Sequence, residues 1–164
     1  AYLSPEMKST GEAIGYDEEL PRALYKAMQA AGMKLQDHGT VLVSVCTSDL
    51  EEAFPLIRRF YRMGFNIEAT TGTAEFLKAR GIRTRVKRDY TEDPADITEA
   101  MRSGKVAYLI NTRDPSSTTH VNAGQEMRRL AIENNVTAFT SLDTVQALLD
   151  VLEAITSRIA TIDE

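Results

Sequence analysis

Between Thr40 and Phe139 the chain alternates short β-branched or apolar runs with stretches whose apolar residues recur every three or four positions. That alternation is the pattern of βαβ units on a parallel sheet, flanked by helices in three α/β/α layers. Five runs read as strands: Thr40–Val45, Phe65–Ala69, Arg83–Val86, Val106–Ile110 and Val136–Phe139. The fourth, Val-Ala-Tyr-Leu-Ile, is the most continuously apolar, so it is the expected centre of the sheet, buried on both faces.

The intervening segments read as helices. Ser48-Asp49-Leu50-Glu51 has the form of a capping box, and Leu50, Phe54, Ile57 and Tyr61 follow at helical spacing up to Gly64. Pro55 lies too deep for a clean first turn, so the helix is either kinked there or starts later. A short helix through Phe76 and Leu77 ends at Gly81, one capped by Asp96 ends at Gly104, one surrounds Met127, Leu130 and Ala131, and a last one runs from Asp143 to about Ile155. Upstream, Asp17 to Gly32 also reads as a helix, with Asp17 as cap, Pro21 in the first turn and Gly32 as stop. Residues 33–39 read as a linker, which places an upstream unit with linker at 1–35 and the α/β domain at 36–164. The opening stretch, polar and punctuated by Gly and Pro, reads as the cut edge of something larger.

At 164 residues, with 43% apolar and 26% charged, the chain can bury one core and has little room for two. Its formal charge of −5 opposes any general affinity for nucleic acid or an anionic membrane, so a phosphate site must be local. The single cysteine, Cys46, leaves neither a disulfide framework nor a thiolate metal cluster. The apolar runs are far too short to span a bilayer. A soluble, cytoplasmic protein is expected, with no cofactor or metal of its own.

Open parallel sheets bind ligands beyond the carboxyl ends of their strands, where strand order reverses. After strand two, Ala69-Thr70-Thr71-Gly72-Thr73 combines hydroxyl donors, a glycine that admits close approach and a helix N-terminus, an arrangement suited to phosphate. The plainer reading is a Thr/Gly turn that caps a helix. After strand four, Asn111 and Thr112 can orient a ribose or carboxylate, and Arg113 can fork onto a phosphate; otherwise they end a strand and meet solvent. Lys87 and Arg88 after strand three are further candidate cations, although charge runs are usually solvated. Candidates for catalysis are thinner: His38 lies at the wrong end of strand one, His120 sits in the polar loop after strand four, and Cys46 has no visible histidine partner. Asp93, Asp96 and Asp114 can pair for proton transfer but more often cap helices and turns. No catalytic residue is assigned.

At these residues a family resemblance enters. Pro5-Glu6-Met7-Lys8-Ser9-Thr10-Gly11-Glu12 resembles the end of the second ATP-grasp unit in the large subunit of carbamoyl phosphate synthetase. The remainder resembles that subunit's C-terminal allosteric domain, which has the methylglyoxal-synthase-like fold. The landmarks are Ala69-Thr70-x-Gly72-Thr73, Leu109-Ile110-Asn111-Thr112, Met127-Arg128-Arg129-x-Ala131 and Thr140-x-Leu142-Asp143-Thr144.

The resemblance implies a five-stranded parallel sheet of order 3-2-1-4-5 and a domain that binds UMP as inhibitor or, in various members, IMP, phosphoribosyl pyrophosphate or N-acetylglutamate; ornithine is a further candidate. Phosphate would be held at Thr70, Gly72 and Thr73 and by lysines, with Asn111 and Thr112 on the ribose and phosphate side. The parent enzyme would use ATP and Mg or Mn upstream, and the candidate partners would be its synthetase domains, its glutaminase small subunit and, in a homo-oligomer, a second copy. In two places this chain departs from the family. Leu50 stands where a lysine is common, a loss of about 1.5–3 kcal/mol or roughly tenfold or more in phosphate affinity. Whether Lys87 or Arg88 replaces the second family lysine is open.

Three functions compete on this reading. The favoured one is an effector-binding regulatory module without synthetase activity of its own. The second is methylglyoxal synthase itself, supported by Asp114-Pro115 but not by the segment around Lys8. The third is an effector-blind oligomerisation domain, which Leu50 keeps in play.

Overall fold

The computed structural model describes residues 20–112 and 118–163. The order is α1 (Leu20–Ala30), β1 (Thr40–Ser44), a 3-10 turn (Thr47–Asp49), α2 (Leu50–Arg62), β2 (Asn66–Thr70), α3 (Thr71–Ala79), β3 (Thr84–Lys87), α4 (Pro94–Arg102), β4 (Val106–Asn111), α5 (Thr118–Glu133), β5 (Thr137–Phe139) and α6 (Leu142–Asp163). The five strands form one all-parallel sheet of order β3-β2-β1-β4-β5, the order implied above.

Side chains alternate across the sheet and give each face its own core. Val41, Val43, Ile67, Ala69, Tyr108 and Ile110 belong to the face packed by α1, α2, α3 and α6. Leu42 and Leu109, paired across β1 and β4, point to the opposite face, where α4 brings Ile97 and Met101 and α5 brings Met127 and Leu130. The central strand is β1 rather than β4. Both are paired on two sides and buried nearly throughout, so a long apolar run reports two-sided burial and not the central position.

Local details correct three expectations. The helix after β1 starts at Leu50, directly after the 3-10 turn, and continues through Pro55; the later start is not found. Its first turn carries no side-chain cap. The α4 cap is Asp93, whose carboxylate accepts from the Ala95 N–H at 3.1 Å with Pro94 at the first helical position, while Asp96 accepts from the Arg88 N–H at 3.0 Å. Proline just inside the start fixes the cap one residue earlier, at Asp93.

The upstream helix packs on the sheet domain. Met28 is fully buried in the larger core and α1 lies against α6. Gly32, at φ +81°, turns the chain out of α1, and the Met33 N–H closes onto the Met28 carbonyl. The segment that follows is anchored by Tyr108, whose hydroxyl donates to the Gln36 carbonyl at 2.6 Å and accepts from the Gln36 N–H at 2.7 Å. Asp17 and the segment around Lys8 lie outside the described residues, as do Arg113 and Asp114.

Candidate functional site

The chain leaves β1 toward β2 over one face of the sheet and leaves β4 over the other, so the layers part at the carboxyl ends of these two strands. A cleft of about 1020 Å³ opens there. Its floor is the end of β1, held from both sides. From the β2 side, the Thr73 hydroxyl accepts from the Val45 N–H and donates to the Val45 carbonyl, both at 3.3 Å, and Thr70 donates to the Ser44 hydroxyl at 3.4 Å. From the β4 side, Asn111 Nδ2 donates to the Ser44 carbonyl at 3.3 Å, and Thr112 Oγ1 accepts from the Cys46 N–H at 3.1 Å.

These four side chains are buried, yet all line the cleft. The strand-to-helix passage at Thr70–Thr71 has no intervening loop. Thr70 occupies the cap position of α3 in extended conformation, but its side chain does not cap. The capping use weighed from sequence is therefore not found, and the first N–H groups of α3 stand at the cleft without an intrahelical partner. Gly72 lines the cleft, and a Cβ added there would meet nothing within 4 Å.

The family model for the MGS-like domain matches residues 52–140, more than half of the chain. The chain belongs to the MGS-like domain family. The matched region includes Thr70, Gly72, Thr73, Asn111 and Thr112, and the end of β1 that forms the floor of the cleft lies just before it.

Two of the three cations expected here have other partners, and the third, Arg113, lies outside the described residues. Lys87 and Arg88 do not line the cleft. Lys87 Nζ stands 3.9 Å from the Glu68 carboxylate, which Arg85 also approaches at 3.7 Å, and Arg88 pairs with Asp93 at 3.2 Å. Register explains this: Lys87 lies opposite Thr70 and Arg85 opposite Glu68, so a largely buried carboxylate on β2 draws the basic residues of the edge strand. Among the described residues, the charged ones that line the cleft are Glu75 and Asp89.

Of the catalytic candidates, Cys46 lines the cleft, where its thiol donates to Asp49 Oδ2 at 3.0 Å. His38 pairs with Asp37 at the opposite end of the sheet, at 2.9 Å, and this hydrogen bond holds the Asp37 carboxyl below its usual range. The side chain of His120 lies outside the described residues.

Sequence reasoning passed over Gly124 and Ser44. Gly124 sits inside α5 and lines the cleft, and a Cβ there would stand 2.9 Å from Asn111 Oδ1. A glycine inside a helical pattern is itself a signal of close approach and could have found it.

Proposed function

We propose that this MGS-like domain is a regulatory module that binds a small phosphorylated effector, a UMP-type nucleotide, in the cleft at the ends of β1, β2 and β4. Within a longer carbamoyl phosphate synthetase it would control carbamoyl phosphate synthesis for pyrimidines and arginine. The observation that carries the reading is the floor of the cleft: Thr70 and Thr73 on one side of the β1 end, together with the N-terminus of α3 that no side chain caps, and Asn111 and Thr112 on the other. Hydroxyl and amide groups so placed offer donors to phosphate and ribose oxygens. The enzyme reading loses support because Asp93 and Asp96 serve the α4 N-terminus and the Arg88 backbone.

Calorimetric titration with UMP, IMP, phosphoribosyl pyrophosphate and ornithine tests the proposal. Saturable binding of at least one phosphorylated compound is expected, and Thr73→Ala should weaken it roughly tenfold by removing one anion-directed hydrogen bond. No heat and no thermal shift at millimolar effector would leave an effector-blind oligomerisation module instead. Methylglyoxal formed from dihydroxyacetone phosphate by the purified chain would restore the enzyme reading.

A further inference from the structure

Two neighbouring helices on one face of the sheet, α2 and α3, meet along a seam of stacked side chains. On α2, Leu50, Phe54 and Arg58 follow at intervals of four residues, and on α3 so do Gly72, Phe76 and Arg80. Residues so spaced share a helix face. The two rings meet edge to face, with centroids 6.3 Å apart and planes at 75°. At the outer end of the seam each ring carries a guanidinium, whose carbon lies 5.2 Å from the Phe54 centroid for Arg58 and 3.5 Å from the Phe76 centroid for Arg80. At the inner end stand Leu50, Gly72 and Phe76, and all three line the cleft.

The Phe76 ring is fixed from outside. Arg80 Nη1 donates to the Phe76 carbonyl at 3.3 Å and Nη2 donates to Glu51 Oε1 at 3.2 Å, so the guanidinium bridges α3 to the first turn of α2 and is held over one face of the ring. That cation already engages the ring's quadrupole, and a second cation on the other face would be repelled. Long helical side chains lean back toward the preceding turn, which puts the other face on the Gly72 side. Beyond the helix backbone and the adjoining residues, no atom lies within 4 Å of the point where a Gly72 Cβ would stand, the Phe76 ring included. The first turn of α3 thus leaves open space in front of that face. Leu50, the inner end of the α2 row, adds a second apolar wall.

We infer that Leu50 and Phe76 form a subsite for a neutral planar ring, which stacks on the free face of Phe76 while the anionic group of the same ligand takes the donors on the cleft floor. This rests on the effector reading and narrows it. The effector class is a nucleoside monophosphate, because anions without a planar ring, such as phosphoribosyl pyrophosphate or an acylated amino acid, lack the group that the subsite takes. Leu50 is then a specificity-determining residue: it gives the cleft an apolar contact that a charged or strongly hydrated side chain at this position could not supply.

The test is a titration of the full chain and of the Phe76→Ala, Phe76→Tyr, Leu50→Asn and Tyr90→Ala variants with UMP, IMP and ribose 5-phosphate. Thermal melts check that each variant is folded. The wild-type chain is expected to bind at least one of the nucleotides roughly tenfold more tightly than ribose 5-phosphate. Phe76→Ala should remove most of that preference, weakening the nucleotide roughly tenfold and ribose 5-phosphate by less than about twofold, while Phe76→Tyr keeps it. Leu50→Asn, at the start of α2, should weaken the nucleotide several-fold and carries the test if Phe76→Ala does not fold. Stacking also has its own signature: the uracil H5 and H6 resonances of UMP should move upfield on binding to the wild-type chain and not on binding to Phe76→Ala. A wild-type chain that binds ribose 5-phosphate as tightly as both nucleotides overturns the subsite and leaves the effector reading standing. Equal losses for nucleotide and ribose 5-phosphate in Phe76→Ala overturn it too, since Phe76 would then serve only the packing behind the floor. Loss of the preference in Tyr90→Ala but not in Phe76→Ala would put the ring against the other aromatic residue that lines the cleft, with the same consequence. If none of the three ligands binds, the effector reading falls and takes this inference with it.

Discussion

The two ends of the sheet use buried polar groups in opposite ways. At the amino end, the Tyr108 hydroxyl makes two short bonds to one residue, 2.6 and 2.7 Å to the Gln36 backbone, and thereby fastens the segment after α1 to β4. At the carboxyl end, the bonds of Thr70, Thr73 and Asn111 to the end of β1 are 3.3–3.4 Å long. Hydrogen bonds weaken with length, so the amino end is a committed latch, whereas the carboxyl end is a set of loosely engaged donors facing a cleft. A polar group tied tightly to backbone stabilises the fold; one tied loosely beside a cavity can exchange its partner for a ligand oxygen at small cost.

High pH should break the contrast most visibly. Burial pushes the Tyr108 phenol up to about 12, with the Gln36 contact pulling it down and Asp37 adding to the rise. A phenol whose folded pKa exceeds its unfolded one contributes stability that is fully present below the unfolded value of 10.0 and is lost as pH rises to about 12. The expected loss is about 2–3 kcal/mol across that window, measured by urea unfolding at stepped pH. Tyr108→Phe is the matched control. At neutral pH it should be less stable by about 1–2 kcal/mol, because the Gln36 N–H and carbonyl lose their partner, and its alkaline loss should be smaller than that of wild type. Ligand affinity should not move. A Tyr108→Phe variant as stable as wild type, with the same alkaline decline, would mean that the latch contributes nothing.

How far these two ends can be read from sequence differs for a physical reason. Alternation and period depend on local spacing, so the strands, the helices and the switch-point loops are legible, and the threonines and Asn111 do line the cleft. Where Lys87 points depends instead on a partner distant in the chain and adjacent only through strand register, since it is Glu68 on β2 that draws it; Arg88 turns to Asp93, a local partner five residues on. The Tyr108 latch joins residues 72 apart, and nothing local marks which tyrosine in an apolar strand will find a backbone partner. Asp93 and Asp96 were separable only by the helical position of Pro94. Gly124 had a local sign, a glycine in a helix, but its meaning lies in Asn111 across the interface between β4 and α5.

Gly124 offers the finest test, because the same substitution should act on one end of the sheet and spare the other. In Gly124→Ala the new Cβ would meet Asn111 Oδ1 at 2.9 Å and Arg128 Nη1 at 3.1 Å, so both side chains must move. Both contacts are the far ends of side chains, and alanine favours the helix over glycine by about 1 kcal/mol, so the two effects on stability largely cancel. Net stability should change by less than about 1 kcal/mol, well below the Tyr108→Phe effect. What should suffer is the cleft: Asn111 loses its alignment on Ser44, and affinity for a phosphorylated ligand should fall several-fold while the alkaline transition stays as in wild type. A Gly124→Ala variant with unchanged affinity would show that the β4 and α5 wall plays no part in binding, and the loosely held donors would then have to be sought on the α3 side alone.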